Sequence, residues 1–324
     1  MSKAIQIDQF GGPEVMEWRD IDVPAPAAGE VRVRHTACGL NFIDTYHRSG
    51  LYPLELPTGL GTEAAGVVDA LGAGVDHLQV GDRVAWLGLP PGAYAEQRNY
   101  AGDRLVRLPA GVSDEAAAAG LLKGLTAWYL LHRSYPARPG DWVLMHAAAG
   151  GVGSIAARWA ASKGIRVIGV ASTAEKLEQA RANGCEAVVS ATAEEFVSEV
   201  RELTGGEGVA GVYDSVGRDT FFQSLDCLRP HGTMVSYGNA TGAVEPFSPM
   251  ELARRGSLFL TRPTVFDFIR TRDELVNATN ELFGAMEAGT VEVTVNQRYA
   301  LSDAAAAHRD LEARRTTGST LLLP

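Results

Sequence analysis

Trp142-Val143-Leu144-Met145-His146-Ala147-Ala148-Ala149-Gly150-Gly151-Val152-Gly153 is the stretch that decides the fold. Its first five residues form an apolar run of buried-strand length, and Ser154 to Ser162 continues as an apolar helical segment. The glycines between them let the chain turn sharply. They also let an anionic group approach the free N–H groups and positive dipole end of the helix. The spacing Ala-x-x-Gly-x-x-Gly is a variant of the glycine fingerprint that opens dinucleotide-binding βαβ units, and the plainer alternative is a packing turn. A second strand, Ile165 to Val170, and a second helix, Ala174 to Ala182, follow at the spacing such a unit needs.

Downstream the same rhythm persists. Ala187 to Val189, Val209 to Tyr213, Thr233 to Tyr237 and Ser257 to Leu260 read as further strands, with a helix over Ala193 to Thr204. Strands alternating with helices on short connections imply a parallel, doubly wound sheet. Upstream the texture differs. Val31 to His35, Gly66 to Val68 and Arg83 to Trp86 are short strand-like runs, punctuated by Pro24-Ala25-Pro26, Gly72-Ala73-Gly74 and Gly81-Asp82. That pattern predicts a barrel-like, mostly-β domain, with a helical stretch from Ser113 to Leu131 leading out of it. Past Pro263 a helix over Arg272 to Ala288, a strand around Val291 to Val295, a short helix and a strand over Ser319 to Leu323 complete the chain. The expected fold is α/β, a doubly wound parallel Rossmann domain inserted into the β domain. The boundaries are 1–124, 125–264 and 265–324, with the last segment returning to the first.

The tip of the second strand bears on the cofactor. An NAD site usually places Asp or Glu there to accept from the ribose hydroxyls. Here the run is Val170-Ala171-Ser172-Thr173-Ala174-Glu175-Lys176, and its first acid falls inside the following helix. Ser172 can donate to a 2′-phosphate and Lys176 can neutralise it, so NADPH is expected over NADH. The competing reading makes Ser172 the helix N-cap and Lys176 a solvated surface charge.

Composition narrows the remaining classes. The 324 residues carry a net charge of −10, which disfavours nucleic-acid partners because such binding draws on basic surface. Cys38, Cys185 and Cys227 are odd in number and far apart, so no disulfide framework is expected. No run approaches the ~20 apolar residues of a membrane span. Residues 1–10 lack the apolar core of a secretory signal. A cytoplasmic protein with no membrane partner is expected.

Several further segments are in register with one family. They are Gly39-Leu40-Asn41-Phe42-Ile43-Asp44, Arg48-Ser49-Gly50-Leu51-Tyr52-Pro53, Gly59-Leu60-Gly61-Thr62-Glu63-Ala64-Ala65-Gly66 and Gly81-Asp82-Arg83-Val84. Leu122-Lys123-Gly124-Leu125-Thr126-Ala127, His146 to Gly153, Tyr213-Asp214-Ser215-Val216-Gly217 and Thr261-Arg262-Pro263 follow. With these the chain resembles, over nearly its whole length, the zinc-independent quinone oxidoreductases (zeta-crystallin-like) of the medium-chain dehydrogenase/reductase superfamily. That resemblance implies a GroES-like catalytic domain around the Rossmann domain and a quinone as substrate, and together with the apolar runs Thr233 to Tyr237 and Ser257 to Leu260, expected as edge strands, it suggests a homodimer.

It also implies site residues. Asn41 and Tyr46 lie beside cofactor and substrate in that family, and Tyr52 is either a third site group or a loop aromatic packed under Pro53. Cofactor contacts carry over to Thr126 at the start of the domain-connecting helix and to the turn Gly150, Gly151, Val152 and Gly153. They carry over also to Ser215, Val216 and Gly217, to Tyr237, Gly238 and Asn239, to Arg262 and to Arg314. In the zinc-dependent alcohol dehydrogenases of the superfamily a Cys stands where Asn41 stands and a Gly-His-Glu at Gly61-Thr62-Glu63, so two zinc ligands are replaced by poor ones and no zinc is expected. His35 and Cys38 have no third ligand near them in sequence and read as core residues, while Glu63 reads as a brace. A quinone needs no Lewis acid, because it is already electrophilic and donors can stabilise the charge that hydride transfer puts on its oxygen. The same scaffold would suit a reductase of α,β-unsaturated carbonyls, and a non-enzymatic NADPH- or RNA-binding role is the remaining alternative.

Overall fold

The computed structural model describes residues 2–192 and 196–324. The chain divides into two compact units. One holds the chain up to Leu122 together with Ile269–Glu287 and Val293–Pro324, and the other holds Lys123–Phe268 and Ala288–Glu292.

The second unit is built on a parallel sheet in the order Ala187–Ser190, Arg166–Ala171, Trp142–Met145, Val209–Asp214, Leu228–Ser236, Phe259–Thr261. All pairs are parallel, and chain order steps outward from Trp142–Met145 to one edge and from Val209–Asp214 to the other. The strand order therefore reverses between Trp142–Met145 and Val209–Asp214, which is where open α/β sheets bind ligands. Val143, Leu144 and Met145 are fully buried, as a central parallel strand covered on both faces must be. This is the doubly wound Rossmann sheet that the sequence implied. The helix Gly151–Ser162 starts three residues before the apolar run suggested, because the glycines themselves form its first turn. Of the helix expected over 193–204, residues 193–195 lie outside the described residues and Phe196–Leu203 is helical.

The other unit carries a sheet in the order Val295–Ala300, Ser319–Leu323, Glu30–Leu40, Glu63–Leu71, Arg83–Leu87, Val106–Arg107, with Gln97–Ala101 also on Glu30–Leu40. Glu17–Ile21, Ser2–Ile7 and Thr58–Gly59 form a second, smaller sheet. Val31, Val33, Cys38 and Leu40 point inward from one strand and pack with Val68, Val84 and Trp86. The register pairs Gly39 with Glu63. That pairing brings Asn41, just beyond one strand, to the same sheet end as Thr62 and Glu63, which open the other.

Three expectations need correction. The strand expected around Val291 to Val295 forms instead over Val295–Ala300, because its partner begins where Ser319 faces Val295 and leaves the alternating valines before it with no ladder. The strand containing Thr233 to Ser236 is not an edge. It pairs on both sides, and the edge is Phe259–Thr261. Thr126 does not start its helix. Ser113 receives the Ala116 N–H at 3.1 Å and Asp114 and Glu115 fill the first turn, so the Ala-rich run nucleates the helix Asp114–Tyr129 a dozen residues earlier.

Among the described residues no helix is long and apolar enough to cross a membrane. Burial pushes His35 and His47 down to about 4 and His308 down to about 3, and it lowers His146 as well. These imidazoles bind protons more weakly folded than unfolded, so the stability they confer is present above pH 6.5 and is lost as pH falls toward 4. Asp44, raised to about 7, acts with the opposite sign in that window but is outnumbered. The urea midpoint is therefore expected to fall steeply between pH 6.5 and 4.5, by roughly 1.4 kcal/mol per pH unit for each net proton taken up on unfolding. A flat midpoint across that range would show the four imidazoles to be accessible.

Candidate functional site

In the nucleotide unit the quoted stretch closes tightly. Ala147 takes a left-handed φ of 52°, and its carbonyl accepts the Gly150 N–H at 2.8 Å. Gly150 is the N-cap of the helix Gly151–Ser162 and brings no side-chain cap, so the first N–H groups of the helix are left for another acceptor. A Cβ on Gly153 would lie 2.3 Å from the Ala147 carbonyl oxygen and 2.7 Å from the Ala148 Cα, so only glycine lets the helix approach the strand this closely. These features fit a dinucleotide pyrophosphate.

At the neighbouring strand tip, Thr173, not Ser172, caps the helix Ala174–Ala182, its hydroxyl accepting the Lys176 N–H at 3.3 Å. The alternative that spent Ser172 on the cap is thereby removed, and Ser172 is exposed.

Across the switch point a buried network appears that the sequence reading missed. Asp214 ends its strand with no exposed surface. Oδ1 accepts the N–H groups of Val216 at 2.7 Å and Gly217 at 3.0 Å, and Oδ2 accepts the hydroxyls of Thr220 at 2.7 Å and Ser224 at 2.9 Å. Since Ser224 gives its hydrogen to Asp214, it accepts from His146 Nε2 at 2.9 Å, which fixes that imidazole's tautomer. The loop Ser215, Val216 and Gly217 is thus held from below. From the side, the Ser215 and Val216 carbonyls accept the N–H groups of Ala240 and Thr241, and a Cβ on Gly238 would lie 2.4 Å from the Ser215 carbonyl oxygen. Tyr237, Gly238 and Asn239 are locked against that loop. The only sequence signal for the network was an Asp closing an apolar strand.

Thr126 is nearly buried, and Tyr129, one turn along the same helix, stacks on Phe268 at 4.8 Å. Burial raises the Tyr129 phenol, with a further push from Tyr237 and an opposing pull from Arg262, so those three side chains share one region. Arg262 donates to the Pro263 carbonyl at 3.1 Å. Arg314, in the other unit, is exposed with a left-handed φ of 58°.

That other unit gathers Asn41, Asp44, Thr62 and Glu63. Asn41 Nδ2 donates to Glu63 Oε1 at 2.8 Å, and Glu63 Oε2 accepts the Leu122 N–H at 2.6 Å, so Glu63 is a brace. A Cβ on Gly39 would lie 2.4 Å from Glu63 Oε1, so that glycine makes room for the carboxylate. Asp44 accepts the Asn41 N–H, the Thr62 hydroxyl and the Tyr94 hydroxyl, each at 2.9 Å. Burial, reinforced by the nearby Glu63 charge, raises the Asp44 carboxyl to about 7 despite these bonds. Tyr46 and Tyr52 are half-buried and meet edge to face at 5.3 Å, and Tyr52 also faces His47, so Tyr52 packs on these rings. His47 Nδ1 is buried with no hydrogen-bond partner among the described residues.

A zinc ion does not fit this donor set. Thr62 commits its hydrogen to Asp44, Asn41 offers an amide already donating to Glu63, and both are poor zinc ligands. His35 and Cys38 face the core, bonded to the carbonyls of Ala95 and Ala93. Among the described residues no three His, Cys, Asp or Glu side chains are grouped to hold a metal.

The chain is similar to known proteins over its whole length. Residues 27–110 match the Alcohol dehydrogenase GroES-like domain family and residues 151–288 the Zinc-binding dehydrogenase family. The Pseudomonas aeruginosa quinone oxidoreductase is 50% identical over the full length of both chains. The crystal structure of the Escherichia coli quinone oxidoreductase complexed with NADPH superposes with a TM-score of 0.97 at 47% identity, covering 99% of this chain and 100% of that one. A Burkholderia 2-haloacrylate reductase is 45% identical over all of this chain and 99% of its own. Asn41 and Thr62 at the former ligand positions, inside a chain this similar to those proteins from end to end, place it on one branch of the superfamily: the chain belongs to the zinc-independent quinone oxidoreductase family of medium-chain dehydrogenases/reductases.

Proposed function

We propose that the chain is an NADPH:quinone oxidoreductase that works without zinc. The observation that carries this is a glycine-built, uncapped helix N-terminus at the sheet's switch point, in a chain whose metal-ligand positions hold Asn41 and Thr62. NADPH, when bound, supplies a hydride from its nicotinamide ring. The turn Gly150 to Gly153 holds the pyrophosphate, Ser172 and Lys176 take the 2′-phosphate, and Arg314 is a further phosphate partner. Thr126, Ser215, Val216, Gly217, Tyr237, Gly238, Asn239 and Arg262 complete the cofactor contacts. Asn41 orients its amide through Glu63 and offers a donor to the quinone oxygen as negative charge develops there. Tyr46 and Tyr52, packed edge to face, supply two further phenol donors.

Purified protein should oxidise NADPH with benzo- and naphthoquinones, and no consumption across such a panel would end the proposal. Within it, Lys176→Ala is expected to raise the KM for NADPH about tenfold and leave that for NADH unchanged, because it deletes a charge partner of the extra phosphate alone. Initial rates with both cofactors decide this.

A second reading, reduction of α,β-unsaturated carbonyls, draws support from the 2-haloacrylate reductase relative. Rates on 2-alkenals against rates on quinones separate the two. A cytoplasmic homodimer is part of the proposal, and the edge strand Phe259–Thr261, with Phe259 62% exposed, offers a face for the partner copy.

A further inference from the structure

A row of buried polar groups runs from the C-terminal helix Ala304–Glu312 to Asn41. Glu312, whose side chain is 39% exposed, accepts both terminal nitrogens of Arg48, at 2.6 and 3.1 Å. Arg48 is buried and turns Nη1 to His308 Nδ1 at 3.0 Å. A guanidinium only donates, so His308 Nδ1 accepts and its proton sits on Nε2. Nε2 lies 3.2 Å from the Tyr94 hydroxyl, which accepts there and gives its own hydrogen to Asp44. From Arg48 Nη1 through His308 and Tyr94 each donor points toward the Asp44 carboxylate, which also holds the Asn41 N–H and the Thr62 hydroxyl.

Arg48, Asp44, Tyr94, Thr62 and His308 are all buried, and apolar side chains of like volume would serve a merely structural purpose at little or no cost. On the site side, the row ends at Asn41, the residue already read as a donor to substrate. We propose that Tyr94 and His308 are positioning residues for quinone reduction: they keep Asp44 an acceptor, which fixes Asn41 and ties down the Thr62 hydroxyl, and protonation of Asp44 releases that hydroxyl. The inference rests on the function proposed above.

The release follows from the geometry. A protonated Asp44 carries an O–H that needs an acceptor among its three partners. The Asn41 N–H is backbone, and the Tyr94 hydroxyl is met from its other side by His308 Nε2–H. Only the Thr62 hydroxyl is able to rotate, accept from Asp44 and present its own hydrogen elsewhere. The groups facing Asp44 are Glu63 and Cys38 from the two neighbouring strands, Tyr94, Arg48 on its own helix, and His308 behind Tyr94. Burial holds the Cys38 thiol and the Tyr94 phenol well above neutrality and His308 at about 3, whereas Asp44 lies at about 7.

The test measures kcat and quinone KM from pH 5.5 to 9 at saturating NADPH, with a ¹³C-carboxyl NMR titration of Asp44 in cofactor-free protein. Tyr94→Phe removes one donor to the carboxylate. It is expected to move the Asp44 titration and the kcat inflection upward together, by about tenfold in proton affinity, with KM changed less than twofold. His308→Asn, too short to reach Tyr94, shifts both the same way by less, and His308→Gln, which restores an N–H at the Nε2 position, brings both back toward wild type. An inflection that stays put while Tm falls in all three variants overturns the inference and leaves the row a packing device. If wild type reduces no quinone, the function fails instead, and the NMR arm still decides: an Asp44 that titrates near 4 and ignores Tyr94→Phe overturns the positioning role by itself.

Discussion

Gly153→Ala is expected to lower NADPH affinity about 100-fold while leaving the secondary structure intact. The added methyl would sit 2.3 Å from the Ala147 carbonyl oxygen and 2.7 Å from the Ala148 Cα. Both are backbone atoms, so no side chain can swing aside to relieve the contact. Nor can the backbone give easily. Ala147 already occupies a left-handed φ, its carbonyl holds the Gly150 N–H, and the Ala148 N–H is tied to the Val170 carbonyl at 3.1 Å. The helix must therefore move off the strand, carrying its N-terminal N–H groups away from the pyrophosphate. Overpacking of this kind costs about 3 kcal/mol, which corresponds to that 100-fold. Gly150→Ala is the internal comparison. Its Cβ would meet the same carbonyl oxygen at 3.1 Å, and its backbone is in the extended region at φ −81°. That variant should lose less than tenfold. NADPH fluorescence titrations of both, with far-UV circular dichroism, make the comparison, and equal losses would sink the steric argument.

The contrast between those two glycines shows what the sequence could and could not carry. That a glycine turn lay between a strand and a helix was legible, because period and punctuation are local properties and Trp142 to Ser162 holds the whole pattern. Which glycine admits no Cβ was not, since that depends on how closely the helix is pressed to its strand. Ser172 and Lys176 stand out in the sequence as an expected phosphate pair, and only the structure shows the cap passing to Thr173 and leaving Ser172 exposed. In the catalytic unit, Asn41 and Thr62 stood out through resemblance. Asp44, Tyr94 and His308 did not, because their partners are 50 and 214 residues apart in the chain and no period links them. Buried polar networks of high sequence separation are where pattern reasoning runs out. A titratable residue inside an otherwise apolar strand or helix face is the one trace they leave, and Asp214 leaves it.

Asp214→Ala is expected to destabilise the nucleotide unit by about 4 kcal/mol and to lower its melting temperature by roughly 10 °C. The reason lies in how many donors one buried carboxylate serves. Without it, the N–H groups of Val216 and Gly217 and the hydroxyls of Thr220 and Ser224 lose an acceptor that has no exposed surface of its own. A hydroxyl can turn, but a backbone N–H cannot. The two N–H groups therefore force the loop to open, and Gly217, at φ 89° with the Gly242 carbonyl packed where its Cβ would be, has no other seat. Asp214→Asn separates the two halves of this effect. Its remaining carbonyl oxygen can serve the N–H pair, while its new NH₂ faces two hydroxyls that are able to reverse and accept. Its cost should be about 1–2 kcal/mol. Because Ser215 to Gly217 are proposed to touch the cofactor, the rise in melting temperature on adding NADPH should disappear in Asp214→Ala and persist in Asp214→Asn. Calorimetry with and without NADPH reads both quantities. A melting point for Asp214→Ala within 2 °C of wild type would mean that the loop finds other acceptors and that His146, Ser224 and Asp214 do not hold it in place.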